Sequence, residues 1–330
     1  MTTTSAAIPA GRLRPALRLD RQRARVPLHP LAEAAARVCF AYARDQHDLR
    51  SRRRLPRYLW RTARFVWEGA RRPLLEARMG SLDVVLSTAD RTMARSVYAA
   101  GDWDPLLVGT VFAALERWGH AYRGRTFLEV GANFGVYCLP AVAEWGFASA
   151  VAYEPEPNAY ALLRENVRRN GLQERVEPVH AALSREPGEL RLRRGGSNAG
   201  DNRIVSDDEV APGQEAVSVR ATTLDRELAE GAIRLEELGL VWLDVQGHET
   251  EVLAGAGRLL EAGVPLVLEY STSMLSEGRR ELHRLLAGSY RALVDLGWCA
   301  LTNRLIFQPA DAIADLAAPG MPLETDLLLL

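Results

Sequence analysis

The stretch Phe127-Leu-Glu-Val-Gly-Ala-Asn-Phe-Gly135 decides the fold, because it joins a buried strand to a glycine-rich turn and the start of a helix. A second apolar strand, Ala150-Val-Ala-Tyr-Glu154, follows and ends in a carboxylate. The turn glycines let the backbone approach a ligand, and the N–H groups at a helix N-terminus are free to bind it. Together these features predict the first βαβ unit of a nucleotide-binding sheet, with Glu154 accepting hydrogen bonds from both ribose hydroxyls.

Strands and helices alternate along the chain from residue 126 onward, which predicts an open, mostly parallel sheet with helices on both faces. The later part of the pattern predicts helices over residues 250–262 and 279–296. It also predicts strands over residues 298–302 and 326–330. Such a sheet binds its ligand beyond the carboxyl ends of the strands.

The charge is unevenly distributed along the 330 residues, although the net charge is −1. Residues 1–78 contain 18 Arg and 6 acidic residues, which leaves 23 of the 41 Arg and 36 of the 42 acidic residues for the remainder. Composition and helical spacing divide the chain into a flexible lead (1–30), a basic helical extension (31–79) and one large domain (80–330). The chain has no Lys, which excludes mechanisms that depend on a Schiff base or a P-loop lysine.

The cysteines and the hydropathy of the chain indicate its compartment. Cys39, Cys138 and Cys299 are scattered and form no CxxC pair, which argues against a disulfide framework and against a cysteine-rich zinc site. No apolar run reaches the roughly 20 residues of a membrane span, and the first 30 residues lack the apolar region of a secretory signal. We therefore expect a cytoplasmic protein.

The first turn distinguishes between two nucleotide cofactors. A dinucleotide site has glycine at the second position of G-x-G-x-x-G, whereas this turn reads Gly131-Ala132-Asn133-Phe-Gly135. Asn tolerates a left-handed backbone but would crowd a pyrophosphate. Glu129 would repel a pyrophosphate, and it suits the ammonium at the amino-acid end of S-adenosylmethionine. The turn therefore favours S-adenosylmethionine over NAD as the cofactor, with a purely structural turn as the remaining alternative.

The rest of the cofactor site is expected at the ends of the second and third strands. Glu154 directly ends its strand and is predicted to hold the ribose. Glu156 lies two residues further on, and a solvated loop carboxylate is the main alternative interpretation there. Small residues at the end of the third strand, Ala181 or Ala182, would allow backbone contact with the adenine edge.

A second chemical cluster follows the fourth strand, in Leu240-Val-Trp-Leu-Asp244-Val-Gln-Gly-His248-Glu249. Asp244 should point at the same crevice as Gly131 and Glu154. His248 or Asp244 is the candidate general base, with Glu249 orienting the acceptor or the base. The alternatives are a helix cap for Asp244, an exposed histidine for His248, and pairing with the helix N-terminus for Glu249.

Four separated motifs in this order resemble the FkbM family of S-adenosylmethionine-dependent methyltransferases. The motifs are the run 126–182, Thr222-Thr-Leu-Asp225, Leu243-Asp-Val-Gln-Gly-His-Glu-Thr-Glu-Val-Leu-Ala-Gly-Ala256, and the upstream stretch Asp90-Arg-x3-Arg95-Ser96-x-Tyr98-x2-Gly101-x-Trp103. The resemblance covers about residues 80–270. It implies a class I methyltransferase (Rossmann-like) fold and O-methylation of a hydroxyl, often on a sugar or secondary metabolite.

The resemblance also implies roles for individual residues. The cofactor's methionine end would contact Glu129, Gly131, Asn133 and Gly135, together with the intervening Ala132. Glu154 would hold its ribose, and Asp244 and Glu249 would lie at the methyl-transfer face. Gln246 stands where the family often has Glu, which argues against a catalytic role at that position. The expected partner is a small-molecule or carbohydrate acceptor.

Several alternatives remain open on the sequence alone. The Arg-rich segment with interleaved aromatic residues also suits a nucleic-acid methyltransferase, although no base-stacking Asn-Pro-Pro-Tyr motif or Pro-Cys nucleophile accompanies it. A solvated basic helix face is the more ordinary interpretation of the segment 31–79, and contact with an anionic membrane surface or a partner protein is an alternative. A nicotinamide oxidoreductase is the third class. The spacing requires no metal, a divalent ion at Asp244 and Glu249 stays open, and the oligomeric state is not readable.

Overall fold

The structure is a computed structural model of the 330-residue chain. It describes residues 5–7, 55–195, 202–206, 209–210, 213–275, 278–302, 304–316 and 324–330. Apart from strand β1 (Ser5–Ala7), the expected flexible lead over residues 1–30 lies outside the described residues, as does the part of the basic extension before residue 55.

The N-terminal part of the described chain has two helices around a hairpin and then a third helix. These elements are α1 (Leu55–Gly69), β2 (Leu74–Met79), β3 (Leu82–Ser87), α2 (Met93–Ala100) and α3 (Pro105–Trp118). The helix predicted up to residue 79 is therefore wrong beyond Gly69. Leu75 and Met79 are buried between more exposed neighbours, and Gly80 turns the chain with a φ of 56°. In so short a segment, the apolar spacing fits a hairpin strand as well as a helix.

The remaining elements alternate as the sequence predicts. The first half contains β4 (Thr126–Val130), α4 (Cys138–Ala143), β5 (Ser149–Tyr153), α5 (Pro157–Arg169), β6 (Val176–Val179), β7 (Ala182–Leu183), β8 (Gly188–Arg193), β9 (Arg203–Val205) and β10 (Ala216–Thr222). The second half contains α6 (Leu224–Glu230), β11 (Leu238–Leu243), α7 (Glu249–Ala254), α8 (Gly257–Ala262), β12 (Leu266–Ser271), α9 (Arg279–Ser289), β13 (Ala292–Asp295), α10 (Leu296–Thr302), β14 (Arg304–Ile306), β15 (Gln308–Pro309) and β16 (Glu324–Leu329).

The central sheet has eight strands in the order β15-β13-β16-β12-β11-β4-β5-β6. The five strands from β12 to β6 are parallel, whereas β16 runs antiparallel to both of its neighbours. The strands β7, β10, β8 and β9 form a smaller sheet, and β1 pairs antiparallel with β14. This mixed α/β architecture, with one large and mostly parallel sheet between helices, confirms the predicted fold class.

Two cores lie on the two faces of the sheet, and β11 shows why. All six of its residues are buried. Leu240 and Trp242 belong to one hydrophobic cluster, while Val241 and Leu243 belong to the other. Alternate side chains of a strand point to opposite faces, so a strand covered on both sides is apolar throughout. This burial fixes the register in which β11 presents its carboxyl end.

Three predicted elements differ from the structure. Residues 298–302 belong to helix α10 rather than to a strand, and the predicted helix over 279–296 ends at Ser289 before β13. The predicted helix over 250–262 is broken into α7 and α8. A Cβ on Gly255 would lie 2.2 Å from the carbonyl oxygen of Ser184, so this break lets the chain approach β7 closely.

The length and composition of the described helices bear on whether one of them could cross a membrane. Within the parts of the chain that the structure describes, none of the helices combines the length and the apolar composition that crossing a bilayer requires.

Candidate active site

A pocket lies beyond the carboxyl ends of the parallel strands. Its lining includes six of the residues that the sequence singles out, namely Gly131, Asn133, Glu154, Ala182, Asp244 and His248. The turns after β4 and β5, residues 131–135 and 154–156, form one side, which we call the first rim. Asp244, Val245, Gln246 and His248, in the turn after β11, form the other side. We call this turn, residues 244–249, together with Glu269 on β12, which binds the side chain of Gln246, the second rim. The sheet topology therefore brings distant motifs into one site.

Gly131 allows the two rims to meet. It has a φ of 90°, and a Cβ at this position would lie 1.9 Å from the carbonyl oxygen of Asp244. The N–H of Asp244 in turn donates to the carbonyl oxygen of Val130, at 3.0 Å. The sequence attributes this glycine to the approach of a ligand. The structure shows that the turn after β11 lies so close to Gly131 that a side chain at this position would clash with it.

Asn133 ties the first turn to the second. It has the left-handed backbone that the sequence predicts, with a φ of 49°, and its N–H donates to Oε2 of Glu154 at 2.7 Å. Oε1 of Glu154 accepts from the N–H of Glu156 at 2.8 Å. The Glu154 carboxyl is buried, and this burial raises its pKa to about 7. Two of its roughly four acceptor positions are thus occupied by the backbone, and the carboxyl lines the pocket.

Glu156 has a structural role, and the alternative of a solvated loop carboxylate is wrong. Its side chain is buried, and Oε2 accepts from the N–H of Ala159 at 2.7 Å, which caps α5. Oε1 pairs with Arg194 at 2.7 Å. The structure therefore separates Glu154, which faces the pocket, from Glu156, which stabilises the helix that follows.

Three other residues of the first motif lie behind the lining of the pocket. Glu129 is buried, and its oxygens accept from the N–H groups of Cys138 at 2.7 Å and Tyr137 at 3.3 Å. Burial raises the pKa of Glu129 to about 8. A Cβ on Gly135 would meet the side chains of Leu139 and Leu163 at 2.8–2.9 Å, so this glycine serves helix packing. Ala132 is fully buried in the same core.

The second rim brings two carboxyls and an amide together. Nε2 of Gln246 donates to Oδ1 of Asp244 at 2.8 Å and to Oε2 of Glu269 at 2.7 Å. Burial and the neighbouring Asp244 raise the pKa of Glu269 to about 9, and burial raises the pKa of Asp244 as well. Asp326 on β16 lies opposite Glu269 in the register, and burial raises its pKa. Sequence reasoning missed Glu269, which lies inside β12, whereas Glu154 and Asp244 directly follow the last residues of β5 and β11.

His248 and Glu249 occupy different positions. His248 lines the pocket, and its Nε2 lies 2.9 Å from Oγ of Ser184, which follows β7. Burial lowers the pKa of His248, so the imidazole is neutral near pH 7 and able to accept a proton. Glu249 is buried behind the turn, where Oε1 accepts from the N–H groups of Gly247 at 3.1 Å and Val245 at 3.3 Å. Burial raises its pKa to about 7.

Two other carboxylates of the sequence motifs cap helices. Asp225 accepts from the N–H groups of Gly257 and Arg258 at 2.9 Å, at the start of α8. Asp90 accepts from Thr92, Met93 and Ala94 at 2.9–3.0 Å, at the start of α2. Among the residues with described positions, no three His, Cys, Asp or Glu side chains are arranged to bind a metal ion.

The comparisons with known proteins identify the domain. Residues 129–291 match the family model of the methyltransferase FkbM domain. The 2-O-methyltransferase NoeI of Sinorhizobium fredii is 28% identical over 171 residues, which is 48% of this chain and 68% of NoeI. The methyltransferase sdnD of Sordaria araneosa is 26% identical over 152 residues, so the match spans 39% of this chain and 59% of sdnD.

A solved structure gives a weaker likeness. The crystal structure of the methyltransferase FkbM from Methylobacillus flagellatus KT superimposes with a TM-score of 0.39 at 14% sequence identity, over 69% of this chain and 56% of that chain. The matched residues 129–291 run from the first strand of the parallel sheet to the edge of β13 and include both rims of the pocket. Over residues 129–291, just under half of its length, this chain is similar to the FkbM methyltransferase family.

Proposed function

We propose that this protein is an S-adenosylmethionine-dependent O-methyltransferase that methylates a hydroxyl of a sugar, a glycan or a secondary metabolite. The observation that carries the proposal is the pairing of the two rims. The turn at Asn133 is hydrogen-bonded to a buried Glu154 at 2.7 Å, and the same pocket is lined by Asp244 and a neutral His248. One rim suits a nucleoside, and the other suits the deprotonation of an alcohol.

The first rim fits the cofactor by its donors and acceptors. Glu154 presents a buried carboxyl with unused acceptor positions to the pocket, as a ribose diol requires. Ala181 and Ala182 add small side chains to the lining, which leave room for an adenine edge. S-adenosylmethionine, when bound, supplies a methyl group on a sulfonium centre. A carboxyl oxygen of Glu129 accepts a hydrogen bond from the N–H group at the start of α4. In this proposal Glu129 therefore does not contact the methionine end of the cofactor directly and acts by holding the turn that precedes α4.

The second rim holds the acceptor and takes its proton. Holding the reacting groups in line lowers the barrier of a displacement by roughly 7–11 kcal/mol. A positioned base increases the rate by about 10²–10⁴-fold. We assign the base to the imidazole of His248 or the carboxylate of Asp244. Ser184 Oγ, at 2.9 Å, fixes the ring of His248. Glu249 acts by holding the turn, because its carboxyl binds the N–H groups of Val245 and Gly247.

The acceptor class follows from the polar groups of the second rim and from a relative. The carboxyl of Asp244 and the amide of Gln246 line the pocket and offer hydrogen-bonding atoms to a polyhydroxylated molecule. NoeI is named as a 2-O-methyltransferase, and the region similar to it covers 48% of this chain. A hydroxylated small molecule or carbohydrate is therefore the acceptor that we propose.

The test is a methyl-transfer assay with isotopically labelled S-adenosylmethionine and a panel of sugars, oligosaccharides and hydroxylated metabolites, read by mass spectrometry. We expect one or more acceptors to gain a labelled methyl group on oxygen. Cofactor specificity is measured in parallel, because a ligand that binds only the native state raises the melting temperature. S-adenosylmethionine should stabilise the protein and NAD should not. Stabilisation by NAD alone, or methylation of RNA but of no hydroxylated small molecule, would overturn the proposal.

A further inference from the structure

Helix α1 has two apolar faces, and only one of them packs against the protein. Tyr58 and Phe65 point inward and are buried, and the ring of Phe65 lies 5.5 Å from that of Tyr98. On the opposite side, a continuous apolar strip is exposed. We call it the outward face of α1, and it consists of Leu59, Trp60, Ala63, Val66 and Trp67.

The exposure of this face is large for apolar side chains. Trp60 is 60% exposed, Trp67 58%, Val66 54% and Leu59 43%. Their spacing of three, four and seven residues places them in one strip about 120° wide. Contiguous exposed apolar patches of this kind mark interaction surfaces, whereas single exposed apolar residues need no explanation.

A row of arginines borders the outward face along one edge. Arg57 and Arg64 follow each other at a spacing of seven residues, and Arg71 continues the row just beyond the helix. The guanidinium of Arg64 lies 5.5 Å from the ring centre of Trp60, and that of Arg71 lies 3.9 Å from the ring centre of Trp67. Both indoles of the outward face therefore have a cation beside them.

The groove next to this row concentrates positive charge. It is lined by Arg57, Arg61, Arg64 and Arg78, together with the indole of Trp60. Arg61 stacks on Tyr98 at 5.3 Å, and burial and the neighbouring Arg57 lower its pKa. The acidic residues of the groove, Glu76 and Asp83, are engaged by Arg169 and Arg78 respectively. The single acidic residue of α1, Glu68, faces Arg64 and Arg72.

We propose that the outward face of α1 docks on an anionic lipid membrane. Trp60, Trp67, Leu59 and Val66 enter the interface between headgroups and acyl chains, and the arginine row binds the lipid phosphates. An amphipathic helix with tryptophan and aliphatic residues on one face and arginines at its edge is suited to this position. The proposal concerns a surface and does not depend on the methyl-transfer reaction.

Other occupants of this face fit the charges and the shape less well. Residues 1–54 carry 12 Arg and 4 acidic residues, so this segment repels the arginine row. A symmetric contact with a second copy would place the same arginines opposite each other. Single-stranded RNA would use the indoles and the arginines, but Leu59 and Val66 have no aromatic face on which a base stacks.

The test measures sedimentation of the full chain with vesicles of phosphatidylcholine, with and without phosphatidylglycerol. We expect binding only to the anionic vesicles and its loss at molar salt, where the screening length falls to about 3 Å. Replacing Trp60 and Trp67 together with Ala should weaken binding by at least about tenfold. Replacing Arg57 and Arg64 with Gln should weaken it by about fivefold for each charge removed.

Matched controls are Trp298→Ala, at a tryptophan that is 53% exposed elsewhere, and Arg234→Gln, at an exposed arginine paired with Glu237. Neither should change vesicle binding, and circular dichroism verifies that all variants are folded. The proposal is overturned if the wild-type chain ignores anionic vesicles, or if the controls lose as much binding as the α1 variants. It is also overturned if the Trp60 and Trp67 variant abolishes only RNA binding or only self-association in analytical ultracentrifugation.

Discussion

The two rims of the pocket hold their carboxyls in different ways. On the first rim, both oxygens of Glu154 accept hydrogen bonds from backbone N–H groups of the adjoining turns. On the second rim, Asp244 and Glu269 share one amide donor, Nε2 of Gln246. Backbone donors hold the carboxyl of Glu154 in place. The carboxyls of Asp244 and Glu269 are held by the side chain of Gln246, and burial favours their protonated forms.

This difference corresponds to the two tasks of the proposed enzyme. A cofactor site must present the same acceptors to the same nucleoside in every cycle, and a carboxyl fixed by rigid turns does so. A site that deprotonates an alcohol needs groups whose protonation changes near neutral pH. The second rim holds candidate groups for this task, since burial lowers the pKa of His248 and raises the pKa of Asp244 and Glu269. The predictions below test whether the two tasks separate in this way.

The largest effect is expected at His248. In His248→Ala, we expect kcat to fall by about 10²–10⁴-fold, because a positioned base is removed, while cofactor affinity stays unchanged. His180→Ala is the control, since His180 is an exposed imidazole that does not line the pocket. Steady-state kinetics and calorimetry of cofactor binding separate the two quantities. An unchanged kcat in both His248→Ala and Asp244→Asn would refute the assignment of the base.

The contact between the rims is tested by Gly131→Ala. The added Cβ would lie 1.9 Å from the Asp244 carbonyl oxygen in a backbone with a φ of 90°. We expect the free energy of unfolding to fall by about 3 kcal/mol or more, through clash and strain together. Gly119→Ala is matched to it, because Gly119 has a φ of 81° and no atom within 4 Å of the added Cβ. Its expected cost is about 1 kcal/mol in urea unfolding. Equal costs would show that the rims do not press on each other here.

On the first rim, we expect Glu154→Gln to weaken binding of S-adenosylmethionine by about 10–100-fold, through loss of a charged acceptor. Glu156→Gln is the matched control, since Glu156 caps α5 and should leave cofactor affinity unchanged. Isothermal titration calorimetry measures both. If the Glu156 variant lost more affinity for S-adenosylmethionine than the Glu154 variant, Glu156 rather than Glu154 would be the residue that binds the cofactor.

The same carboxyl predicts a pH dependence. Its pKa of about 7 means that Glu154 is protonated below that pH and loses acceptor capacity. Cofactor binding by the wild type should therefore weaken about tenfold between pH 8 and pH 6. In Glu154→Gln this part of the pH dependence should disappear, and a titration series at several pH values measures the difference. An identical pH dependence in both proteins would assign it to another group.

The smallest effect is expected for Glu269→Gln on the second rim. The folded-state pKa of about 9 lies above the ordinary value of 4.5, so the folded protein binds the extra proton between these values. Stability from this group is present at low pH and is lost as the pH rises toward 9. We expect the variant to be similar to the wild type at pH 5 and more stable than it at pH 9, by at least about 1 kcal/mol. Glu261→Gln, at an exposed residue, is the control in thermal unfolding at both values.

The first rim was readable from the sequence because it is local. Asn133 and Glu154 each follow a strand directly, and a left-handed Asn in a glycine turn leaves a clear pattern. The convergence of Asp244 on the same pocket followed from the rule that ligands bind at the carboxyl ends of parallel strands. That rule requires only the recognition of strands. The buried parts of β5 and β11 are apolar throughout, and the buried part of β4 is apolar except for Glu129.

The rest depends on contacts between residues far apart in the chain. Glu269 joins the second rim because β12 lies beside β11, and the hydrogen bond through Gln246 appears only once both strands are in place. Ser184 reaches His248 across 64 residues. The burial of Glu129 and Glu249 behind the turns was equally invisible, since the same residue types are found in open sites. Local patterns identify strands and turns, but they do not say which distant segment of the chain will contact a given side chain.

The measurement that tests the central claim most directly is isothermal titration calorimetry of the purified protein with S-adenosylhomocysteine, the demethylated product of the proposed cofactor. The claim is that the turn at Gly131–Asn133 and the carboxyl of Glu154 together bind a sulfur nucleoside. It predicts saturable binding to one site per chain, with NAD giving no heat under the same conditions. Absence of binding heat for both S-adenosylhomocysteine and S-adenosylmethionine would contradict it.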